Sequence, residues 1–161
     1  MIKSNVSVVV TGIDWMGGGV GSIESAIQQL FQEAEQEILL TVYALTNGAD
    51  MLFEWLEMAL IRGVEIKMAI NRIDEKTADV RAQLIQLADL YPHFYLCNFT
   101  SDDQIDLHAK LIVVDRRKAI VGSSNLSRRG LLTNYELAVL IEGPTATEIA
   151  NVVDRLLSRL Y

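Results

Sequence analysis

Within residues 107–125, LHAKLIVVDRRKAIVGSSN, stand the side chains best suited to chemistry. His108 and Lys110 lie at i and i+2 in an otherwise apolar run. On an extended chain they project from one face, about 7 Å apart. A lysine on a fully buried strand without a partner would be costly, so that face is expected to open onto a cleft. Beyond the turn DRRK, the second half of a hairpin brings Gly122, Ser123 and the Asn125 amide back toward the level of His108. Glycine permits close backbone approach, and Ser and Asn add hydrogen-bond donors. An imidazole, an ammonium and neutral donors, without paired carboxylates or metal ligands, suit a tetrahedral oxyanion, phosphate first among them.

The surrounding chain must supply the scaffold. VSVVV (residues 6–10) reads as a first strand and TGIDWMGGGVGS as a glycine-rich loop. Ser22 is placed to cap a helix running to about residue 36, whose Ile23, Ala26, Ile27, Leu30, Phe31 and Ala34 recur at helical spacing. EILLTVYAL follows as a buried strand, then a helix over residues 50–62, stopped by Gly63, and a strand over 64–71. A third helix is expected from about residue 75 to 91, ended by Pro92, and FYLCNF as a strand. LHAKLIVV, KAIVGS and NYELAVLIEG complete the strands. Pro144 opens a last amphipathic helix with Ile149, Val152, Val153, Leu156, Leu157 and Leu160 on one face. Strands alternating with helices and closed by a hairpin predict an α/β fold: a mixed β-sheet flanked by helices on both faces.

The 161 residues, half of them hydrophobic, fit one domain over 1–161, with 1–21 as the first strand and glycine-rich loop. A net charge of −7 argues against coating nucleic acid or an anionic membrane by global electrostatics, so a phosphate site must be local. The single cysteine, Cys97, excludes an internal disulfide framework and a cysteine-based zinc site, and fits a reducing cytosol. VSVVV is too short for a signal-peptide core or a membrane span, so a soluble cytoplasmic protein without stable membrane association is expected.

His108-x-Lys110, four residues, Asp115, six residues, Gly122-Ser123-x-Asn125 resembles the HKD signature of the phospholipase D superfamily at every position and spacing. IQQLFQEAEQEILLTVYALTN and LFEWLEMALIRGVEIKMAI resemble that family's lead-in, and NYELAVLI the strand after its motif, so the likeness covers the chain from Ser22 onward. The resemblance implies phosphodiester cleavage without metal or cofactor: one histidine attacks phosphorus to form a phosphohistidine, and a second protonates the leaving oxygen. By the same resemblance His108 is the nucleophile, Lys110 and Asn125 hold the nonbridging oxygens, and Ser123 supports the phosphate pocket. Asp115, at the end of its strand, is expected to be structural, and Glu136 matches the acidic residue that orients the catalytic imidazole.

That mechanism needs two HKD histidines and the chain offers one, because His93 in YPHFY lacks the following x-Lys. A two-fold homodimer through the HKD face is therefore expected, its site built from His108, Lys110 and Asn125 of both chains. The two identical histidines must then take opposite protonation states, and their titrations should couple.

Other features carry less. GGGVGS lacks the Lys-Ser/Thr of a P-loop and does not fit G-x-G-x-x-G, which leaves a mobile loop. Asp102, Asp103 and Asp106 lack EF-hand spacing and read as a solvated loop. Arg116, Arg117 and Lys118 form the turn, whereas Arg128 and Arg129 adjoin the site and are expected to contact substrate backbone. Trp15 and Trp55 read as packing residues, and Cys97 as a small buried side chain. A small chain with one HKD motif most resembles the family's bacterial nucleases, including those of restriction and anti-phage defence systems. Two alternatives stand beside that nuclease reading. A phospholipase or phosphatidyl transferase should show an exposed apolar rim, and an inactive nucleic-acid-binding dimer should have a blocked His108. The acidic charge leaves room for an additional domain or subunit that supplies substrate affinity.

Overall fold

The structure is a computed structural model that describes residues 2–46 and 48–160. Eight strands form one mixed sheet in the order β2-β1-β8-β7-β6-β3-β4-β5. Its elements along the chain are β1 (Asn5–Thr11), β2 (Gly21–Ser22), α1 (Ile23–Glu33), β3 (Glu37–Val42), α2 (Asp50–Ile61), β4 (Glu65–Asn71), a 3-10 turn (Ile73–Glu75), α3 (Ala78–Leu90), β5 (Phe94–Phe99), β6 (Leu111–Val114), β7 (Lys118–Gly122), α4 (Arg128–Leu132), β8 (Glu136–Glu142) and α5 (Pro144–Leu157). β3, β4 and β5 are parallel and joined through α2 and α3, the pairs β3–β6, β6–β7, β7–β8 and β8–β1 are antiparallel, and the short β2 pairs parallel with β1.

Hydrophobic pattern decides the layers. In β3 both Leu39 and Leu40 are fully buried, so the strand has core on each face, as central strands of parallel sheets do. One face packs Ile38, Leu40, Met68 and Ile112 against Ile27, Leu30, Leu56 and Leu84 of α1, α2 and α3. The other packs Leu39, Ala69, Val113 and Ala119 against Ala146, Ala150 and Val153 of α5. Helices thus flank both faces, as the sequence pattern predicts. One helix cannot cover a whole sheet face, however. Val6, Val8, Leu137 and Val152 are 57, 49, 47 and 61% exposed, so Val152 is not on a buried helix face as its spacing suggested.

The hairpin bearing the motif is closed by a two-residue turn in which Asp115 and Arg116 both have positive φ, 50° and 56°. Arg117 N–H closes it onto the Val114 carbonyl at 3.0 Å, the type I′ geometry that follows strand twist. Side chains offset the backbone strain. Arg116 pairs with Glu37 at 2.5 Å and Asp154 at 2.8 Å. Asp115 accepts from the backbone N–H groups of Glu35, Gln36 and Glu37 at 2.9, 2.8 and 2.9 Å. This cap on the start of β3 explains why α1 ends at Glu33 and not near residue 36: the next N–H groups are committed to Asp115. Asp115→Ala should lower stability by about 2–4 kcal/mol, since it orphans three donors, and a thermal melt reads it as a fall of roughly 5–10 °C.

Candidate active site

The strand expected from residue 107 begins its ladder only at Leu111. β7 ends at Gly122, whose N–H still donates to the Lys110 carbonyl at 3.3 Å, and β3 ends at Val42, so residues 107–109 run past their neighbours and take hydrogen bonds from side chains instead. The Asn71 amide, 3% exposed at the end of β4, accepts from Leu107 N–H at 2.8 Å and donates to Asp106 Oδ1 at 3.1 Å. Thr41 Oγ1, equally buried, donates to the Ala109 carbonyl at 2.8 Å. His108 is therefore gripped on either side while its ring stays exposed. Neither Asn71 nor Thr41 was singled out from the sequence; a polar residue inside each of two apolar strands was the available signal.

Asp106 also binds Arg72 Nε at 2.9 Å. Hydrogen bonds from Asn71 and Arg72 hold its carboxyl below the ordinary value of 3.8. Because the unfolded chain binds that proton more tightly, the stabilisation is present above the ordinary pKa and is lost as pH falls through the lowered folded value. In a melting series over about pH 2 to 7, the gap between the parent and Asp106→Asn should therefore close at the acid end.

Around His108 the side chains converge. Lys110 Nζ donates to the His108 carbonyl at 2.9 Å and lies 3.3 and 3.4 Å from the two ring nitrogens. Tyr43, which follows β3, meets the imidazole at 61° with centroids 4.3 Å apart, and Lys110 Nζ stands 5.1 Å from its ring centroid. Burial lowers the Lys110 pKa, with Glu136 opposing. Tyr43 was not picked out from the sequence, where it reads as one more apolar strand position.

Ser123 and Glu136 also meet. Ser123 Oγ donates to Glu136 Oε2 and accepts from Leu137 N–H, and Asn134 Nδ2 donates to Glu136 Oε1 at 3.4 Å. Within one chain Glu136 makes no hydrogen bond to His108 among the described residues; Tyr43 and Lys110 are the groups on that ring. Gly122 pairs with Ala138 so closely that a Cβ would stand 2.4 Å from the Ala138 Cβ, so its glycine serves strand packing as well as an open site. Asn125 lines a cavity of about 20 Å³ with Lys110 and Gly122. Its Oδ1 is the one buried side-chain polar atom without a partner among the described residues. Leaving such an atom unpaired costs about 1–3 kcal/mol.

Arg128 and Arg129 open α4, which Ser127 caps, and both are exposed with no carboxylate within 4 Å among the described residues. Of the turn cations, Arg116 is paired as above, and Lys118 pairs with Glu33 and Glu142 at 2.6 and 3.1 Å. Trp55 is buried at 7%, but Trp15 is 46% exposed, edge-on to Tyr135 at 5.3 Å, with Ile13, Met16 and Val20 exposed beside it. For Trp15 the packing expectation is therefore corrected: the glycine-rich loop buries too little to enclose it. Asp102 and Asp103 are exposed, and no group of three or more His, Cys, Asp or Glu forms a metal-ligand cluster among the described residues. No helix among them is long and apolar enough to cross a membrane.

Comparison with known proteins gives the class. Residues 27–161 match the family described as cardiolipin synthase, PLD-like domain. The chain thus belongs to the phospholipase D superfamily, whose members are phosphodiesterases or phospholipid-modifying enzymes. The DISARM protein DrmC of Bacillus paralicheniformis is 30% identical over 138 residues, which are 85% of this chain and 57% of DrmC. The chain thus spans little more than half the length of that relative. Among solved structures, Nuc of Salmonella typhimurium, a phospholipase D family member, superposes with a TM-score of 0.75 at 22% identity, covering 95% of this chain and 93% of Nuc. Phosphatidylserine synthase of Haemophilus influenzae gives 0.76 at 15% identity, covering 98% of this chain and 39% of the synthase.

Proposed function

We propose that the protein is a metal-independent phosphodiesterase, a nuclease acting on DNA or RNA through a phosphohistidine in a site shared by two copies of the chain. One observation carries this reading. His93, the only other histidine, binds the Leu60 carbonyl at 2.9 Å, and its own carbonyl accepts from Ile66 at the start of β4. Leu107 is held by Asn71 at the opposite end of that strand, about 17 Å from Ile66 by strand rise. A reaction that needs two imidazoles on one phosphate must take the second from another chain.

In that reaction a His108 ring nitrogen attacks phosphorus, the bond from phosphorus to the leaving oxygen breaks, and His108 of the partner subunit gives that oxygen its proton. Water then attacks phosphorus, yields its proton to the same imidazole of the partner, and breaks the P–N bond. Lys110 and the Asn125 amide hold the nonbridging oxygens, where their charge and donors meet the growing negative charge. Ser123 and Glu136 border the phosphate pocket, and Asp115 acts from behind by aligning the hairpin with β3.

The exposed apolar side chains Val6, Val8 and Leu137 on the paired strands β1 and β8 support a homodimer. The unpaired Arg128 and Arg129 support contacts with a phosphate backbone, and a further domain or subunit can add affinity to an acidic chain. A second reading, a phospholipid-modifying enzyme, is favoured by exposed Ile13, Trp15, Met16 and Val20, an apolar rim of the kind membrane contact requires.

The test incubates the chain with excess EDTA and labelled single-stranded DNA, double-stranded DNA, RNA or phosphatidylcholine vesicles. Cleavage of a nucleic acid alone is expected. Turnover of the lipid alone decides for the second reading, and turnover of none removes the enzyme reading for this chain. Sedimentation across concentrations should show a dimer; a fully active monomer would exclude the shared site.

A further inference from the structure

Beside the HKD face lies a cavity of about 450 Å³ that no step above uses, bordered by Tyr43, Asn71, Arg72, Lys76, Gln104 and Asp106. Tyr43 is the wall between the two. Its ring contacts His108, and on its other side its carbonyl accepts from Lys76 Nζ at 2.9 Å. That carbonyl is the only hydrogen-bond partner of the Lys76 ammonium among the described residues, and no carboxylate lies within 4 Å of it. An ammonium carries three donors; here the residue is partly buried, and that burial pushes its pKa down against the opposing pull of Glu75 and Asp106.

Two carboxylates border the same space, and both are turned to Arg72 rather than Lys76. Asp106 binds Arg72 Nε at 2.9 Å, and Glu75, with two-thirds of its side chain exposed, lies 3.7 Å from Arg72 Nη1. Arg72 has a left-handed backbone there, φ 47°, which a non-glycine residue adopts only at a cost. The cavity therefore presents one neutralised guanidinium, one ammonium that feels Glu75 and Asp106 but has no carboxylate within 4 Å among the described residues, and the amide of Gln104. Such a set receives an anion with several acceptor oxygens.

We propose that this cavity is a second phosphate subsite, which holds through Lys76 the phosphate adjacent to the scissile one in a polynucleotide strand. The inference rests on the nuclease reading and sharpens it. The His108 side chain and Asp106, on the border of the cavity, are two residues apart, about 7 Å along an extended segment. A substrate that repeats its phosphates along one backbone can fill both positions. A phospholipid with a single phosphate cannot, and the polar lining gives its acyl chains nothing to bury.

The experiment compares a single-stranded oligonucleotide with bis(4-nitrophenyl) phosphate, a diester without a neighbouring phosphate, and with phosphatidylglycerol vesicles. Lys76→Met should lower kcat/KM for the oligonucleotide about tenfold more than for the small diester. It should also reduce the slope of log KM against log salt by about 0.7, the share of one phosphate contact on a single strand. Lys76→Arg should restore most of both. Oligonucleotide cleavage with an unchanged salt slope, or equal losses on both diesters, overturns the subsite alone. A parent protein that turns over the small diester or the vesicles but no oligonucleotide, or that turns over none of the three, overturns the nuclease reading together with the subsite.

Discussion

His108→Ala should abolish EDTA-resistant phosphodiester cleavage, with a loss of about 10⁴-fold or more, because it removes the attacking nitrogen and the proton donor from every site at once. Fold stability should barely change, since the ring is exposed and the His108 backbone carbonyl that Lys110 binds is retained in the variant. The more telling measurement mixes subunits. When parent and His108→Ala chains exchange to equilibrium in equal amounts, random pairing leaves about one quarter of the dimers with two imidazoles. Activity per total protein should then fall to roughly one quarter of the parent value. Residual activity near one half would mean that each chain works alone, and the shared site would be wrong.

Gly122→Ala should be the most damaging single-methyl change in the sheet. The added carbon would stand 2.4 Å from the Ala138 Cβ and 2.5 Å from the Leu137 carbonyl oxygen. Both obstacles belong to β8, to which β7 is hydrogen-bonded, so no flexible side chain can swing aside. Forcing the strands apart should cost about 3 kcal/mol, or roughly 6–12 °C in Tm for a chain of this size. Ser123 and Asn125 follow directly, so any residual folded protein should lose phosphate affinity as well. Adding Ala138→Gly removes the clash with the Ala138 Cβ but leaves those with the Leu137 carbonyl oxygen and the Ala138 Cα, at 2.5 and 2.6 Å, and should recover part of the loss. A Tm within about 2 °C of the parent for Gly122→Ala alone would refute this packing argument.

Much of the fold could be read from periodicity, because the elements that place the site follow simple rules. α1 begins at its Ser22 cap, α3 begins at Ala78 after a Thr77 cap and not near residue 75 as expected, and the strands from β3 to β5 are apolar runs separated by helical patterns. The motif's spacing likewise located His108, Lys110, Asp115, Ser123 and Asn125 on one hairpin and the segments just beyond it. What spacing does not encode is which distant backbone a polar side chain will satisfy. Asn71 and Thr41 looked like interruptions of apolar strands, yet they grip residues 35 and 68 positions later. The short α4 escaped notice because RRGLL has too few residues to show a period, and it exists by packing Gly130 against the Asn125 backbone. Trp15 was misjudged for the complementary reason: its type favours burial, but the glycine-rich loop that carries it brings no layer to bury it under.

The seam between β1 and β8, where Val6 faces Ile141 and Thr11 faces Glu136, bears on how the chain comes to be folded. Loop closure over more than a hundred residues is slow relative to local pairing. On the ribosome, β1 emerges well before β8 and must wait, with its apolar face and open edge uncovered, until Glu136–Glu142 has been made. The glutamate that borders Ser123 arrives with that same late strand, so the candidate pocket and the β1–β8 seam are completed in one event. Partial translation products should be inactive and prone to associate through that waiting edge, while activity marks only chains that have closed the seam.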